Sequence, residues 1–423
     1  MSTRIVVVGG GTAGARLAQR LPVTLLGEEP HAPYNRVLLA DVLAGRYAPE
    51  VIALPETREP VRLGVRAVRI DRAARTVECA DGSLVGYDRL VLATGSNPVL
   101  PPLRGLRGAE VPEGVHPFRT LDDCLTLRAL VRPGVRAVVI GGGLLGVSAA
   151  RALAALGAEV VLTQQGERLM ERQLDVHASS LLRDHVESLG VEVHTECRVS
   201  GLRRRNGAVT AVELADGFVL DAQVVVLACG VRPRTALARE AGLDVATGIV
   251  IDDELRTSDP YIHAVGDCAE HAGRVYGLAG PALEQADALA DLLLAESAPH
   301  AATTAAGTAP AEHAPATAVG NAPTPRYTGT RSLTRLTLGG AHPLDLAAFG
   351  EATPRPGDDV VQLTDATRTA YRKVVVRGDR LVGGVLLGDL AAVGALARAW
   401  EGDEALPDEA PLLHLLTHDG GSS

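Results

Sequence analysis

Uninterrupted apolar runs, each closed by glycine or other small residues, set the pattern of most of this chain. Residues 5–8, Ile-Val-Val-Val, lead straight into Gly9-Gly10-Gly11-Thr12-Ala13-Gly14 and then into Ala-Arg-Leu-Ala-Gln-Arg-Leu. A β-branched run followed by a helix-forming stretch predicts a buried strand, a turn and a helix. Residues 23–26 predict a second strand, closed by Gly27, Glu28 and Glu29, and Pro22 cuts short the helix before it. Segments 61–70, 76–80 and 83–87 read as short strands joined by turns such as Asp81-Gly82. Residues 87–96 return to a buried strand ending in Ala93-Thr94-Gly95-Ser96, after which Pro98, Pro101 and Pro102 break regular structure.

The opening then repeats itself. Residues 136–140, Arg-Ala-Val-Val-Ile, run into Gly141-Gly142-Gly143-Leu144-Leu145-Gly146, an alanine-rich helix to Gly157 and a strand at 159–163. Both turns fit G-x-G-x-x-G, at 9, 11 and 14 and again at 141, 143 and 146. In such a turn the first glycine permits the tight bend and the second lets a pyrophosphate touch the backbone. The third lets helix and strand pack closely, and free amides at the helix start face the phosphates. One match is weak; two in the same strand–turn–helix setting point to two dinucleotides, or to one dinucleotide and a decayed copy of its site. Residues 257–267 form a short strand delivering Gly266-Asp267, and a carboxylate there suits a polyhydroxyl chain. Pro281 opens a helix whose positive end faces whatever lies before it.

Residues 297–325 are rich in Ala, Thr, Pro and Gly and read as a disordered or extended linker. Strand patterning resumes at 332–338, 360–363, 371–376 and 381–387, followed by an alanine-rich helix, which predicts a small α+β unit. Beyond residue 401 the acidic, Gly/Ser-ended tail reads as mobile, with a short helix at 412–416.

Composition narrows the classes. The chain has 423 residues, 46% of them apolar, yet no window approaches a membrane span. Its net charge of −10, with acids and bases interleaved, speaks against a nucleic-acid partner. Lys373 is the only lysine, and the arginine, alanine, glycine and valine bias reads as genomic base composition. Cys79, Cys124, Cys197, Cys229 and Cys268 form no C-x-x-C pair and sit at no metal-ligand spacing. With the first strand starting at residue 4, no signal peptide is expected, which points to a cytoplasmic protein with reduced thiols. Iron–sulfur clusters, zinc and a redox-active disulfide are excluded by the same scattered thiols, so no metal is expected.

The two glycine fingerprints, the stretch Ala93-Thr94-Gly95 and the Gly266-Asp267 strand together resemble the two-dinucleotide flavoprotein family, the pyridine nucleotide-disulfide reductase fold. Within it, Glu28-Glu29-Pro30-His31, Tyr34-Asn35-Arg36, Leu169-Met170-Glu171-Arg172-Gln173-Leu174-Asp175 and Tyr276-Gly277-Leu278 are similar to the N-terminal part of the NAD(P)H-dependent assimilatory nitrite reductase large subunit. That likeness covers roughly residues 4–400, with the linker as an insertion. It implies an α/β, glutathione-reductase-like fold with two Rossmann-like dinucleotide-binding domains and a small α+β C-terminal domain. The FAD-binding domain would be split over 1–117 and 247–297, with the NAD(P)-binding domain at 118–246 between them. The linker would cover 298–325, an interface domain 326–400 and the tail 401–423.

The resemblance assigns FAD to the first fingerprint, with Gly9, Gly11, Thr12, Ala13 and Gly14 on the pyrophosphate and Glu28 or Glu29 on the ribose. Gly266 and Asp267 would meet the ribitol, Asn35 and Arg36 would lie near the flavin, and Val68, Thr94 and Gly95 complete the set. Ala279 and the amides after Pro281 would face the flavin's pyrimidine edge and favour the anion formed on reduction. NAD(P)H would lie on Gly141, Gly143, Leu144, Leu145 and Gly146, with Gln164 and Gly230. No acid, base or nucleophile is required, because the hydride passes between the cofactors.

Departures from the family pattern shape the functional expectation. Residues 37–42 hold no thiol where disulfide reductases and peroxidase-type relatives carry one, so a cysteine-handled disulfide or peroxide is not expected. Ser148 stands where the family often has a glutamate, and Asp41 where ferredoxin-reductase relatives have a lysine. Both would flank the flavin site, as harmless divergence or as a sign of altered nicotinamide affinity. Gln164 replaces the acid expected on a ribose, and no clear arginine for the 2′-phosphate of NADPH accompanies it, so NADH is only mildly favoured over NADPH. The cysteine clusters that nitrite reduction needs are missing, which implies a separate electron-transfer flavoprotein. It would pass electrons to a nitrate or nitrite reductase or to a small iron–sulfur carrier, act off the membrane, and dimerise through 326–400. Two alternatives stay open: a general rubredoxin- or ferredoxin-type reductase, and an FAD-binding subunit or sensor that has lost hydride transfer.

Overall fold

The opening apolar run forms the strand Ile5–Val8, buried along its whole length. It lies inside a four-stranded parallel sheet ordered Ile262–Ala264, Arg89–Leu92, Ile5–Val8, Thr24–Leu26, with Val6 opposite both Thr24 and Leu90. Such strands are covered on both faces, which is why they read as continuous apolar runs rather than as alternation. The computed structural model describes residues 3–106, 111–297, 326–339, 343–365, 367–406 and 412–417. The predicted linker at 298–325 lies outside them.

Helix Thr12–Arg20 buries Ala13, Gly14, Leu17 and Ala18 and stops at Leu21, just before Pro22. Alongside it runs helix Ala279–Ser297, tied by Arg16 and Arg20 to Asp287 and by Arg20 to Asp291. This second helix starts two residues before the expected Pro281, which still falls in the first turn, where a missing N–H costs little. A three-stranded antiparallel meander, Ala67–Asp71, Thr76–Cys79 and Leu84–Gly86, completes the first unit. The expected strand over 61–70 is therefore shorter than predicted: Arg62 makes only an isolated bridge to Leu26, and Gly64 turns the chain with a positive φ.

The second unit repeats this plan. Five parallel strands run in the order Val191–His194, Glu159–Thr163, Arg136–Ile140, Val224–Leu227, Val115–Pro117. A second antiparallel meander, Val199–Arg205, Ala208–Leu214 and Val219–Asp221, sits beside them. An antiparallel ribbon of Ser96–Pro98 with Val231–Pro233 joins the two units.

In the C-terminal unit, five antiparallel strands run in the order Leu333–Leu338, Leu344–Gly350, Arg380–Leu387, Ala370–Arg377, Asp359–Asp365. The strand Leu344–Gly350 was not expected: its Ala347-Ala348 pair lacks strand propensity, and it is fixed by pairing with neighbours on both sides. Helix Val393–Glu401 packs Trp400 on Phe349, with ring centroids 5.2 Å apart. A short helix closes the described tail at His414–Thr417 rather than at 412–416. One core links Leu39, Leu43, Leu121 and Leu127 with the second parallel sheet and with Leu344, Leu346 and Leu387 of the C-terminal sheet.

That junction carries the only lysine of the chain. Lys373 donates to Asp175 Oδ2 at 2.9 Å, and the Tyr371 hydroxyl donates to the same oxygen at 2.7 Å. Asp175 also caps helix Val176–Ser188 by accepting from Ala178 N at 2.9 Å. Burial opposes its charge, but these three donors outweigh it and hold the carboxyl below its usual range. Removing one partner of such a pair typically costs about 3–5 kcal/mol, because the other charge is left buried and alone.

His263, fully buried on strand Ile262–Ala264, has the opposite electrostatics. Burial, assisted by Arg256 and Arg89 and resisted by Glu296 and the Glu254 backbone, pushes its pKa from 6.5 to about 4. The folded chain thus binds fewer protons than the unfolded chain between those values, and the stability present above pH 6.5 is lost as pH falls toward 4. His263→Leu should flatten the acid side of the stability profile, with the two chains diverging by on the order of 2 kcal/mol by about pH 4.5. Urea melts across that range check it, and parallel profiles would count against the assignment.

Candidate functional site

All four strands of the first sheet end on one side, and their C-terminal ends deliver Gly9–Gly11, Glu28–Glu29, Ala93–Gly95 and Gly266–Asp267 to the same crevice. Ligands of open parallel α/β sheets bind at this edge. Gly9 takes φ +118°, and a side chain there would overlap Ala93 O. A Cβ on Gly14 would overlap Gly9 O, so the third glycine brings the helix backbone onto the turn itself. Gly11 differs: it has an ordinary φ of −79°, and an added Cβ would meet nothing within 4 Å. The protein's own packing does not require glycine there. An open position between free helix amides is what a pyrophosphate needs.

The second crevice has the same division. Gly141 takes φ +114° with Ala228 O against its Cβ position, Gly146 lies on Gly141 O, and Gly143 is open. Gln164 turns its side-chain oxygen back to accept from Gly142 N at 2.8 Å. Leu144 and Leu145 begin the helix Leu144–Ala155, and Gly230, at φ +95°, follows the strand Val224–Leu227 and accepts from Val99 N at 2.9 Å. The stretch 169–175 fastens this crevice: Met170 N donates to Gly142 O at 2.9 Å, and Leu169 and Met170 are core residues.

The two acids after the second strand do different work. Glu29 takes the Tyr34 hydroxyl at 2.6 Å on one oxygen and pairs with Arg36 through the other. Tyr34 also accepts from Leu121 N at 2.8 Å and from Arg36 at 2.9 Å. Burial, the largest effect, holds its hydroxyl well above the usual range despite Arg36, so it stays a donor to Glu29. Glu28 is half exposed and pairs with Arg234, whose Nε reaches Asn97 Oδ1 at 2.7 Å. Asn35 caps the following turn by accepting from Val37 N at 3.1 Å. Thr94 donates to Arg234 O at 2.7 Å, beside Gly95 at φ +71°. Val68 lies on the meander strand Ala67–Asp71, half-buried.

Asp267 is anchored through one oxygen. Gly266, at φ +78°, lies against Ala13 and Ala282, and its amide donates to Gln285 Oε1 at 2.7 Å. Asp267 Oδ2 accepts from Ser96 Oγ at 2.9 Å and from Arg119 Nη2 at 2.6 Å. Arg119 was not anticipated. It directly precedes the capping box of helix Leu121–Leu130, where Thr120 and Asp123 bond each other's backbone, and that box was the one signal that could have found it. Ala279 opens the helix Ala279–Ser297, beside Gly280, which has nothing within 4 Å of its Cβ position.

Asp41 and Ser148 lie on two helices that pack together, Leu39–Leu43 and Leu144–Ala155, but Asp41 pairs with Arg151, and Ser148 Oγ donates to Leu144 O of its own helix at 2.8 Å. The thiols stand apart from this chemistry: burial pushes Cys124 and Cys229 up to about 11. Among the described residues, no cluster of His, Cys, Asp and Glu could hold a metal, and no helix is long and apolar enough to cross a membrane.

The family described as pyridine nucleotide-disulphide oxidoreductase matches residues 3–288, and the rubredoxin NAD+ reductase C-terminal domain matches 341–401. The chain is 32% identical over 445 residues to the nitrite reductase [NAD(P)H] of Bacillus subtilis, covering 99% of this chain and 50% of that protein. It is 32% identical over 402 residues to the assimilatory nitrate reductase electron transfer subunit of the same organism, covering 91% of this chain and 48% of that protein. The chain thus spans about half the length of these relatives. A chain of the covalent putidaredoxin reductase–putidaredoxin complex superposes with a TM-score of 0.80 at 26% identity, over 98% of both chains.

The glycines give a clean test. Gly11→Ala should fold within about 1 kcal/mol of the parent yet bind its dinucleotide at least about tenfold more weakly, read from the flavin absorbance of the purified protein. Gly14→Ala should lose about 3 kcal/mol or more, because its Cβ meets backbone that cannot move. Equal flavin content in parent and Gly11→Ala would show that the open position is not a ligand contact.

Proposed function

The chain belongs to the pyridine nucleotide-disulphide oxidoreductase family, and from that membership we propose an FAD-dependent NAD(P)H oxidoreductase that delivers electrons to a redox protein. The two bound cofactors supply the hydride chemistry, and the protein's part is to hold and orient them. FAD occupies the crevice at Gly9, Gly11 and Gly14, and NAD(P)H the one at Gly141, Gly143 and Gly146. The observation that carries this reading is the paired vacancy at Gly11 and Gly143, glycines that the fold itself does not need.

Side chains then divide the work. Of the two acids, Glu28 serves the FAD ribose, since Glu29 commits both oxygens to Tyr34 and Arg36. Asp267 would meet the ribitol, with Arg119 and Ser96 both bonded to Oδ2 of its carboxylate and holding it in place. The N-terminal end of helix Ala279–Ser297 would face the flavin, where its positive dipole would favour negative charge on the bound group. On this reading residues 1–117 and 247–297 form the FAD domain, 118–246 the NAD(P) domain, and 326–400 an interface domain that pairs two copies.

The acceptor is a nitrate or nitrite reductase component. The likeness to an assimilatory nitrate reductase electron transfer subunit, which extends over 91% of this chain, favours it. A rubredoxin- or ferredoxin-type acceptor is the second reading, favoured by the C-terminal domain match. The protein acts in the cytoplasm. With Gln164 neutral and held by Gly142, the second crevice lacks the acid that selects strictly for NADH, and NADH leads NADPH only modestly.

Anaerobic stopped-flow decides the reading. The purified protein should carry FAD, and NADH or NADPH should bleach it within the turnover time. A flavin left oxidised at saturating nicotinamide would leave only a flavin-binding subunit or sensor.

A further inference from the structure

Asp41 and Arg151 form an ion pair that joins three separate parts of the chain. Arg151 Nη2 donates to Asp41 Oδ1 at 2.8 Å, and Arg46 Nη1 reaches the same oxygen at 3.3 Å. Their side chains are almost wholly buried, at 4% exposure for Arg151 and 17% for Asp41. Arg151 Nη1 also reaches Gly339 O of the C-terminal unit at 3.5 Å, while the Arg46 guanidinium fills the space a Gly339 side chain would need. Around them lie Leu39, Val42, Val147 and Ala150, all core residues.

Each partner belongs to an element that reads out one crevice. Asp41 sits on helix Leu39–Leu43, which continues from Arg36, and Arg36 is locked onto Glu29 and Arg119 O. Arg151 sits on helix Leu144–Ala155, whose first turn grows from the open glycine Gly143. Ser148, one turn earlier, bonds its own helix and leaves the contact to Arg151. The ribbon Ser96–Pro98 with Val231–Pro233, the Glu28–Arg234 pair and the Arg119–Asp267 pair connect the units elsewhere, and this pair is the tether that bears directly on the helices Leu39–Leu43 and Leu144–Ala155.

We propose that Asp41 and Arg151 are positioning residues that act through their two helices to set the distance and angle between the two nucleotide crevices. The proposal rests on the hydride-transfer reading above. A buried ion pair is directional where apolar packing is not, and hydride transfer is steep in geometry: a misplacement of about 1 Å costs on the order of a hundredfold. Replacing both charges with apolar groups of similar volume usually restores stability but not direction. That separates positioning from mere charge neutralisation.

The test uses the holoenzyme with Asp41→Asn and Arg151→Met singly, the double variant Asp41→Leu/Arg151→Met, and Arg151→Lys. Stopped-flow reduction by NADH and NADPH gives the limiting rate, the nicotinamide Kd and the long-wavelength charge-transfer absorbance. Hydrogen exchange follows the amides of 39–46 and 144–155. The double variant should keep its flavin and melt like the parent, with Kd changed less than about threefold and a limiting rate down at least about tenfold. Its charge-transfer band should weaken and both helices should exchange faster, while Arg151→Lys recovers part of the rate. A double variant reduced at the parental rate with an unchanged band would overturn the proposal. Should the parent itself not be reduced by either nicotinamide, the hydride-transfer reading fails. Hydrogen exchange then decides the joint alone: faster exchange of both helices in Arg151→Met sustains the tether, and unchanged exchange ends it.

Discussion

Backbone touching backbone, at Gly14 on Gly9 and again at Gly146 on Gly141, is the constraint on which the rest of the molecule depends. Each contact draws the start of a helix onto the turn that ends a buried strand. Free amides are thereby aimed along the sheet edge, at the point where the other strands also end. Any side chain at these positions would push the helix away and disperse the crevice. The neighbouring Gly11 and Gly143 are under no such demand, and this difference turns a glycine pattern into an argument for a ligand. Two copies of the same geometry in one chain then require a means of holding the copies in relation to each other.

Ion pairs provide much of that relation. Arg119 with Asp267, Arg151 with Asp41 and Lys373 with Asp175 tie segments far apart in sequence, Arg36 with Glu29 closes a local loop, and each pair is at least half-buried. Three of the four use arginine, whose planar fork holds direction better than an ammonium and stays charged when buried. The composition bias that removed lysine from this chain therefore fell on positions where arginine is the better joint. The one lysine is found where two donors, Lys373 and Tyr371, converge on one carboxylate oxygen of Asp175, whose other oxygen caps a helix. Pairs like these add little net stability, since desolvation offsets attraction. What they contribute is register between parts that apolar packing alone would let slide.

The local elements were legible because their causes are local. The strand at 5–8, the turn at 9–14 and the strand at 159–163 follow from β-branched runs and glycine spacing, and the structure has them where the pattern puts them. The strand Leu344–Gly350 escaped notice because alanine in its middle has no preference for a strand, and two neighbouring strands supply the reason it forms. Arg119 escaped for a related reason. Its near acids, Asp122 and Asp123, belong to the first turn of the following helix, and the acid its side chain serves lies far along the chain.

By itself, then, the order of residues determined the elements built on β-branched runs and glycine turns, the repeat of the strand–turn–helix unit and the family likeness, since each depends on neighbours within a turn or a strand. Only the tertiary structure decided the partners. It separated Glu28 from Glu29 by placing Tyr34 and Arg36 against one of them, and it joined Asp267 to Arg119 and Asp41 to Arg151. Charges at the ends of different elements carry no mark of which partner they will meet. That is fixed when strands and helices pack, because burying one charge without its counterpart costs more than the fold can bear.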